Sequence, residues 1–374
     1  MEFVDLYAQY LTIREEMDAA IASVIRESAF IRGRHVEEFE KRYGEMIGVE
    51  HCISCGDGTD AIYIALRALG VKAGDEVITS AHTWIASAET VTQAGGHVVF
   101  CDTEEDYFTI SPRGIEQSIT PRTKGIIAVH LCGQPADMDS IMGIAKRHGL
   151  WVIEDCAQAH LSRYKGRMVG TIGDVGTFSF YPGKNLGAMG DAGCVVTNRK
   201  DVAEFSSLFA RHGGKGDHLI EGINSRLDGL QAAILNVKLR HLRGWTEARQ
   251  QLAARYDDLL AGIEGVVTPR RRKDSEHVYH LYMIRSSNRD SLRAYLAEKG
   301  IPTVINYPKA LPLYPAYKYL GYSPSDFPIA YRNQSEILSI PIYPEMSSDD
   351  QETVADAIRE HSANRGGVAE AAMR

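Results

Sequence analysis

Residues 137–155, from Asp137 to Asp155, read DMDSIMGIAKRHGLWVIED. Asp137 is placed as an N-cap, where a short side-chain oxygen can accept from the free N–H groups that open a helix. Apolar residues then recur at helical spacing as far as His148, and Gly149 stops the run. Leu150–Asp155 is a short apolar stretch ending in a carboxylate, which predicts a strand. A helix feeding a strand in this way is the repeating unit of a parallel sheet, whose strands need crossover connections.

The alternation extends both ways. Val49–Cys55, Glu76–Ala81, His97–Asp102, Gly125–Leu131 and Val175–Phe180 are short, apolar and often β-branched, and read as strands. Helices are expected over Thr59–Leu69 and Thr83–Gln93. Together they predict an α/β fold, with a largely parallel sheet covered by helices on both faces. After about Asn236 the pattern changes. Leu230–Leu260 reads as one or two long, charged, amphipathic helices, followed by a basic, irregular stretch, Pro269–Asp274. A strand (Val278–Ile284), a helix (Asp290–Lys299), a strand (Thr303–Ile305), a Pro-rich loop, a helix (Asp349–His361) and a frayed tail over 366–374 complete the chain. This predicts a large domain over residues 1–240 and a smaller C-terminal α+β domain over 241–374.

Composition limits the function. The chain has 374 residues, room for two or three domains at roughly 100–200 residues each. Hydrophobic residues at 44% and charged ones at 24% support a sizeable core and exclude a wholly disordered chain. A net charge of −8 disfavours broad nucleic-acid binding. No apolar run approaches the roughly 18 residues of a membrane span. Met1 to Asp5 carries two acids and no base, unlike a signal peptide. The six cysteines are scattered, mostly beside strand-like runs, where Cys acts as a small hydrophobe. Cys52 and Cys55 are three apart, so a strand would point them to opposite faces and no metal is expected there. A reduced, cytoplasmic, soluble protein is the expectation.

Three stretches carry candidate chemistry. Cys55-Gly56-Asp57-Gly58-Thr59-Asp60-Ala61 joins a strand to a helix, and exposed N–H groups at a helix start favour an anion such as phosphate. It fits the GxGxxA dinucleotide pattern, but Ile78-Thr79-Ser80 ends the next strand without the acid that a nicotinamide site wants. Val152–Gln158 ends a strand in Asp155, at the edge where open α/β sheets bind ligands; a plain helix cap is the other reading. Phe178–Gly187 places Lys184 in a stretch short of charge, where a desolvated lysine gives up its proton and can form a Schiff base. Other signals are bland. His277 and His280 fall on opposite faces of the expected strand. Arg270–Lys273 and Glu104–Asp106 read as solvated loops, and neither GxSxG nor HExxH occurs. A phosphate cradle, a crevice carboxylate and a Schiff-base lysine suit one ligand, pyridoxal 5'-phosphate, which shuttles through pyridoxamine 5'-phosphate in amino transfer.

At this point the chain resembles the DegT/DnrJ/EryC/StrS sugar aminotransferase family, a branch of the fold-type I pyridoxal-phosphate enzymes. The resemblance rests on Gly58-Thr59-Asp60-Ala61, His130–Asp139, Glu154–His160, Ser179–Gly187 and Asn224-Ser225-Arg226-Leu227-Asp228, and runs from Phe30 to Met346. It implies a sheet with one antiparallel strand. It assigns Lys184 to the cofactor aldehyde and Asp155 to the pyridine nitrogen. Gln158 falls to the ring hydroxyl, Gly58, Thr59 and Ser179 to the phosphate, and Trp84 to stacking on the ring. Asn224 matches a residue that reaches the phosphate from a neighbouring subunit, which implies a homodimer with shared sites. Tyr307, Asn306 and Arg226 are expected to bind substrate. The implied reaction moves an amino group, with glutamate as the expected donor, to a keto sugar linked to a nucleotide. The Lys184–Ala188 and Ala157–His160 runs look more like members acting at C3 than at C4. The alternatives are a 4-keto-sugar aminotransferase, a sugar dehydratase (whose members replace the lysine with histidine), a nicotinamide-dependent oxidoreductase and a non-catalytic regulatory relative. The chain departs from the family at Asn306, where His often precedes Tyr-Pro, and at Leu161-Ser162-Arg163, where small residues are usual.

Overall fold

The computed structural model describes residues 1–214 and 216–372. The expected alternation builds a sheet from β1 (His51–Cys55), β2 (Glu76–Ser80), β3 (His97–Cys101), β4 (Thr123–Val129) and β5 (Trp151–Asp155). After β5 the short strands β6 (Arg163–Tyr164) and β7 (Arg167–Met168) leave the sheet, and β8 (Val175–Ser179) and β9 (Gly193–Thr197) return to it. The spatial order is β1-β9-β8-β5-β4-β2-β3. Only β9 runs against its neighbours, pairing antiparallel with both β1 and β8. The strand at 193–197 is absent from the expectations because it follows a Gly-rich loop and itself starts on glycine. The stretch at 137–155 folds as expected. Asp137 accepts from the Ser140 N–H, and the helix Met138–His148 stops at Gly149, which adopts φ 65°. Such a cap contributes about 1 kcal/mol.

Both faces of the sheet are covered. On one, Ile62, Leu66, Val91 and Phe209 pack on Val77, Ile153 and Val195. On the other, Phe39, Tyr43, Leu235 and Leu239 pack on Phe178, Cys194 and Val196. Each such side chain, fully buried, contributes about 1.5–3 kcal/mol of transfer free energy. Cys52 and Cys55 do point to opposite faces, and all six cysteines are free.

The expected long helical region is one helix, Gly229–Leu259. Its first half packs under the large sheet and its second, through Ala253 and Tyr256, on a smaller core. Residue 240 therefore lies inside a continuous helix. The smaller core surrounds β10 (Val266–Val267), β12 (Tyr282–Ser286) and β13 (Ile337–Ile340), an antiparallel sheet in the order β10-β12-β13. Here β11 (Ser275–Glu276) instead joins β6 and β7.

Several expectations are corrected here. The strand placed at 278–284 begins only at Tyr282, because the preceding segment bonds to a turn: Val278 N–H donates to Gly133 O at 3.2 Å. Thr303–Ile305 contributes only the bridge between Val304 and Ser339. The frayed tail is instead helical through Ala372, where helix formers such as Ala369, Glu370 and Ala371 prolong Ser348–Ala372. Met373 and Arg374 lie outside the described residues. The two charged runs are not independently solvated, because they meet. Arg270 pairs with Asp106 at 3.0 Å, and Arg272 pairs with Glu104 while its guanidinium lies 4.1 Å from the Tyr107 ring centre. Among the described residues no helix is long and apolar enough to cross a membrane.

Candidate active site

The carboxyl ends of β1, β5 and β8 carry the candidate residues to one edge of the sheet. Beyond β1 the chain turns at Gly56–Asp57 into the helix Gly58–Ala68. Asp57 caps it, its Oδ1 accepting from Thr59 N–H (2.7 Å) and Asp60 N–H (2.9 Å). The Thr59 N–H expected for phosphate is therefore shared with a cap, which leaves the Gly58 N–H and the Thr59 hydroxyl as further donors. The turn presses against the end of β8. A Cβ at position 58 would lie 2.6 Å from Ser179 Cβ, and one at Gly193 would lie 2.2 Å from Asp57 O. Both glycines let the helix start approach the Ser179 hydroxyl.

Alternation along β5 separates two acids. Glu154 turns to His130, whose Nε2–H donates at 3.0 Å while its Nδ1 accepts from Ala136 N–H. Asp155, the next residue, faces the site edge. Its Oδ1 accepts from Ala157 N–H at 3.1 Å and its Oδ2 from the Ser87 hydroxyl at 2.7 Å. Gln158 is held at both ends of its amide: Oε1 accepts from Cys132 N–H (2.6 Å) and Nε2 donates to the Tyr307 hydroxyl (2.9 Å).

Lys184 sits in the turn after β8. Burial lowers its pKa to about 8, against the opposing pull of the Asp155 charge. A lysine so placed holds a useful fraction of neutral amine near neutral pH. Its neighbour Asn185 donates to Val278 O (3.0 Å) and its Oδ1 lies 3.3 Å from His280 Nδ1. His280 is thus no bland strand residue. It lies on the loop that docks against Asn185, and burial, with the Lys184 charge, drives its pKa well down. His160 donates from Nε2 to Ser179 O (2.9 Å), so Nδ1 accepts from the Tyr43 hydroxyl (2.8 Å). Burial lowers its pKa to about 4.

Trp84 is 57% exposed, and its ring centre lies 5.5 Å from that of Tyr307. Tyr307 N–H donates to His82 Nε2 at 3.1 Å, and the Asn306 Oδ1 beside it is buried without a hydrogen-bond partner. Asn224 and Arg226 are exposed, whereas Ser225 between them faces its own chain's turn, accepting from Gly56 N–H (2.8 Å) and donating to Asp60 (2.6 Å). Arg163, without an account from sequence, lies 3.9 Å from Glu276 and donates to Gly166 O. The structure thus brings Lys184, Asp155, Gln158, Gly58, Ser179, Trp84 and Tyr307 to one edge, and leaves Asn224 and Arg226 facing outward. Reading the sequence missed Ser87 and His280. Only the four-residue spacing of Ser87 from Thr83 hinted at the former, and the latter acts through a loop whose docking no local pattern encodes.

Comparison with known proteins identifies the family and the fold. Residues 11–359 match the model of the DegT/DnrJ/EryC1/StrS aminotransferase family. The chain is 45% identical to a protein named "Pleiotropic regulatory protein" from Geobacillus stearothermophilus, over 96% of this chain and 97% of that one. It is 42% identical to a dTDP-3-amino-3,4,6-trideoxy-alpha-D-glucose transaminase of Streptomyces venezuelae, over 96% of this chain and 95% of the other. Among solved structures, that of S. venezuelae DesV in complex with a ketimine intermediate superposes with a TM-score of 0.95 at 41% identity, covering 96% of this chain and 98% of that one.

Proposed function

The chain belongs to the DegT/DnrJ/EryC1/StrS aminotransferase family, and on that premise we propose that it is a pyridoxal-phosphate-dependent transaminase that moves an amino group from an amino acid to C3 of a nucleotide-linked keto sugar. The observation that carries this reading is Lys184, a lysine whose pKa burial lowers to about 8, beside the Asp155 carboxylate. Relatives named for 3-amino or 3-keto sugars support the regiochemistry. The donor we propose is glutamate.

The residues fit the cofactor. The Gly58 turn can lie against Ser179 because position 58 has no Cβ, and an anion beside the two would face a helix N-terminus. Gly58, Thr59 and Ser179 would hold the phosphate, Asp155 the ring nitrogen and Gln158 the ring hydroxyl, with Trp84 on a ring face. When bound, pyridoxal phosphate supplies the electron sink that makes the C–H bond beside the transferred nitrogen breakable. Lys184 Nζ, as the neutral amine, takes that proton and returns it to the neighbouring carbon. Asp155 would pair with the ring nitrogen and so favour a positive charge there. The orphaned Asn306 Oδ1 and the held Tyr307 hydroxyl offer partners for sugar hydroxyls. Arg226 and Asn224, facing outward from a segment anchored by Ser225, support a site completed across a homodimer. Residues 1–240 would then carry the cofactor and 241–374 would cover it. Six free thiols support a reducing compartment, the cytoplasm.

One relative carries a regulatory name, but the joint presence of Lys184, Asp155 and Gln158 supports turnover. A dehydratase is disfavoured by lysine at 184, and a nicotinamide site by the missing acid near Ser80. The test mixes purified protein with pyridoxal phosphate, then glutamate, then a panel of 3-keto and 4-keto nucleotide sugars followed by mass. A visible band bleached by glutamate and amine formed from 3-keto sugars are expected. Product from 4-keto sugars alone would overturn the regiochemistry, and a colourless protein would overturn the cofactor. Lys184→Ala is expected to abolish turnover with fold and dimer intact.

A further inference from the structure

The helix Ala86–Gln93 carries two buried hydroxyls that behave differently. Thr90 bonds back to its own helix, donating to Ala86 O at 2.7 Å, as hydroxyls in helices usually do. Ser87, wholly buried, reaches instead to another element and donates to Asp155 Oδ2 at 2.7 Å. A carboxylate only accepts, so the serine proton is committed to it. Thr83, one turn earlier and also buried, lies 3.5 Å from the Ser87 oxygen and can only back it up as a donor. Between them in sequence stands Trp84, the exposed aromatic of the site. One segment therefore presents both a stacking ring and a clamp on Asp155.

With Ala157 N–H on Oδ1 at 3.1 Å and Ser87 on Oδ2, both carboxylate oxygens are fixed and the plane of the group is set. We propose that Ser87 is a positioning residue: its hydroxyl locks the Asp155 carboxylate in the plane that meets the cofactor's ring nitrogen, and so holds the proton on that nitrogen. The inference rests on the cofactor reading above.

The test compares the holoenzyme with Ser87→Ala, Ser87→Thr and Thr83→Val variants. In Ser87→Ala the ring nitrogen is expected to lose positive character. Its nitrogen-15 resonance, with labelled cofactor, should then move toward the unprotonated position. The Lys184 nitrogen, conjugated to a less electron-poor ring, should hold its proton longer, so the pH midpoint of the visible band rises. Turnover should fall about tenfold, with KM for the sugar little changed, as expected for a misaligned catalytic group rather than lost substrate binding. Ser87→Thr should restore all three, and Thr83→Val should move them weakly in the same direction. If Ser87→Ala folds poorly, Ser87→Val, which has the shape of the threonine variant but no donor, gives the same reading. Parental resonance and band midpoint in the alanine or valine variant would overturn the inference alone, whatever the melting temperature. A parent protein with no visible band would overturn the cofactor reading and this inference with it.

Discussion

Lys184 shows how a single residue trades stability for reactivity. Burial brings its pKa from 10.5 to about 8, which means that the folded chain resists carrying the charge that the unfolded chain carries freely. Between those two values the unfolded state binds more protons, so stability rises with pH across the window and the cost is fully present below pH 8. We expect Lys184→Met to raise the melting temperature of the cofactor-free protein by a few degrees at pH 7, corresponding to about 1–3 kcal/mol. The gain should shrink toward pH 10.5. A gain of equal size at both pH values in thermal melts would show that the methionine acts by packing alone. Lys184 and Asp155 stand out in the sequence because each lies on a short segment whose local character, charge-poor turn or strand end, marks it, whereas Gln158 is singled out only through the family resemblance. Ser87 and His280 are not legible there, since their importance comes from contacts 68 and 95 residues away.

At the scale of elements, the join between β1, β8 and β9 is where we propose that the cofactor's phosphate is seated. The Gly58 turn touches Ser179 so closely that a methyl group would lie 2.6 Å from its Cβ. Gly58→Ala must therefore push the turn away, which typically costs about 1–3 kcal/mol for an overpacked site. Affinity for pyridoxal phosphate should drop at least about tenfold, one such step in an equilibrium constant being about 1.4 kcal/mol. Gly244, inside the helix Gly229–Leu259, has nothing within 4 Å of an added Cβ. Gly244→Ala should stabilise by about 0.5–1 kcal/mol and leave cofactor binding untouched. Fluorescence titration and denaturant melts of both variants separate the cases, and unchanged affinity in Gly58→Ala would mean that the turn does not seat the phosphate. The six parallel strands of the large sheet could be read from apolar runs between glycines and caps. β13 could not, because it follows the helix Pro328–Glu336 with no turn residue to mark the switch. Nor could the strand start at Tyr282, since the residues before it obey a turn at 131–134 rather than their own pattern.

For the whole molecule, the large core itself reaches into the C-terminal part, where Leu281, Leu311 and Tyr317 join it, and ion pairs line the same seam. The acidic run 104–106, beyond the large sheet, is gripped by arginines from the C-terminal part: Arg270 on Asp106, Arg272 on Glu104, and Arg332 on Glu105 at 2.8 Å. Arg272–Glu104 is largely buried, but the two exposed pairs contribute little singly, and most of the pH response should come from the interior. His82 and His160 are lowered to about 4 and His277 to about 3, each chiefly by burial, and burial likewise drives His280 well below its usual range. In the unfolded chain all four take up protons near pH 6.5, whereas in the folded chain they stay neutral until much lower pH. The unfolded state therefore binds more protons below pH 6.5, and stability falls as pH drops toward 4. By pH 5.5 the loss should reach about 1 kcal/mol per histidine, so the urea midpoint should move well below its value at pH 7.5. His277 packs against Tyr279 with ring centres 4.0 Å apart and accepts from its N–H. His277→Gln can retain an acceptor there without a titrating ring. It should lower stability at pH 7.5 yet flatten the fall toward pH 5.5 by about a quarter, its share of the four groups. A urea midpoint that does not move between pH 7.5 and 5.5 would mean that these imidazoles are hydrated in the folded protein, and that the loop carrying His277 and His280 does not stay docked beside Lys184.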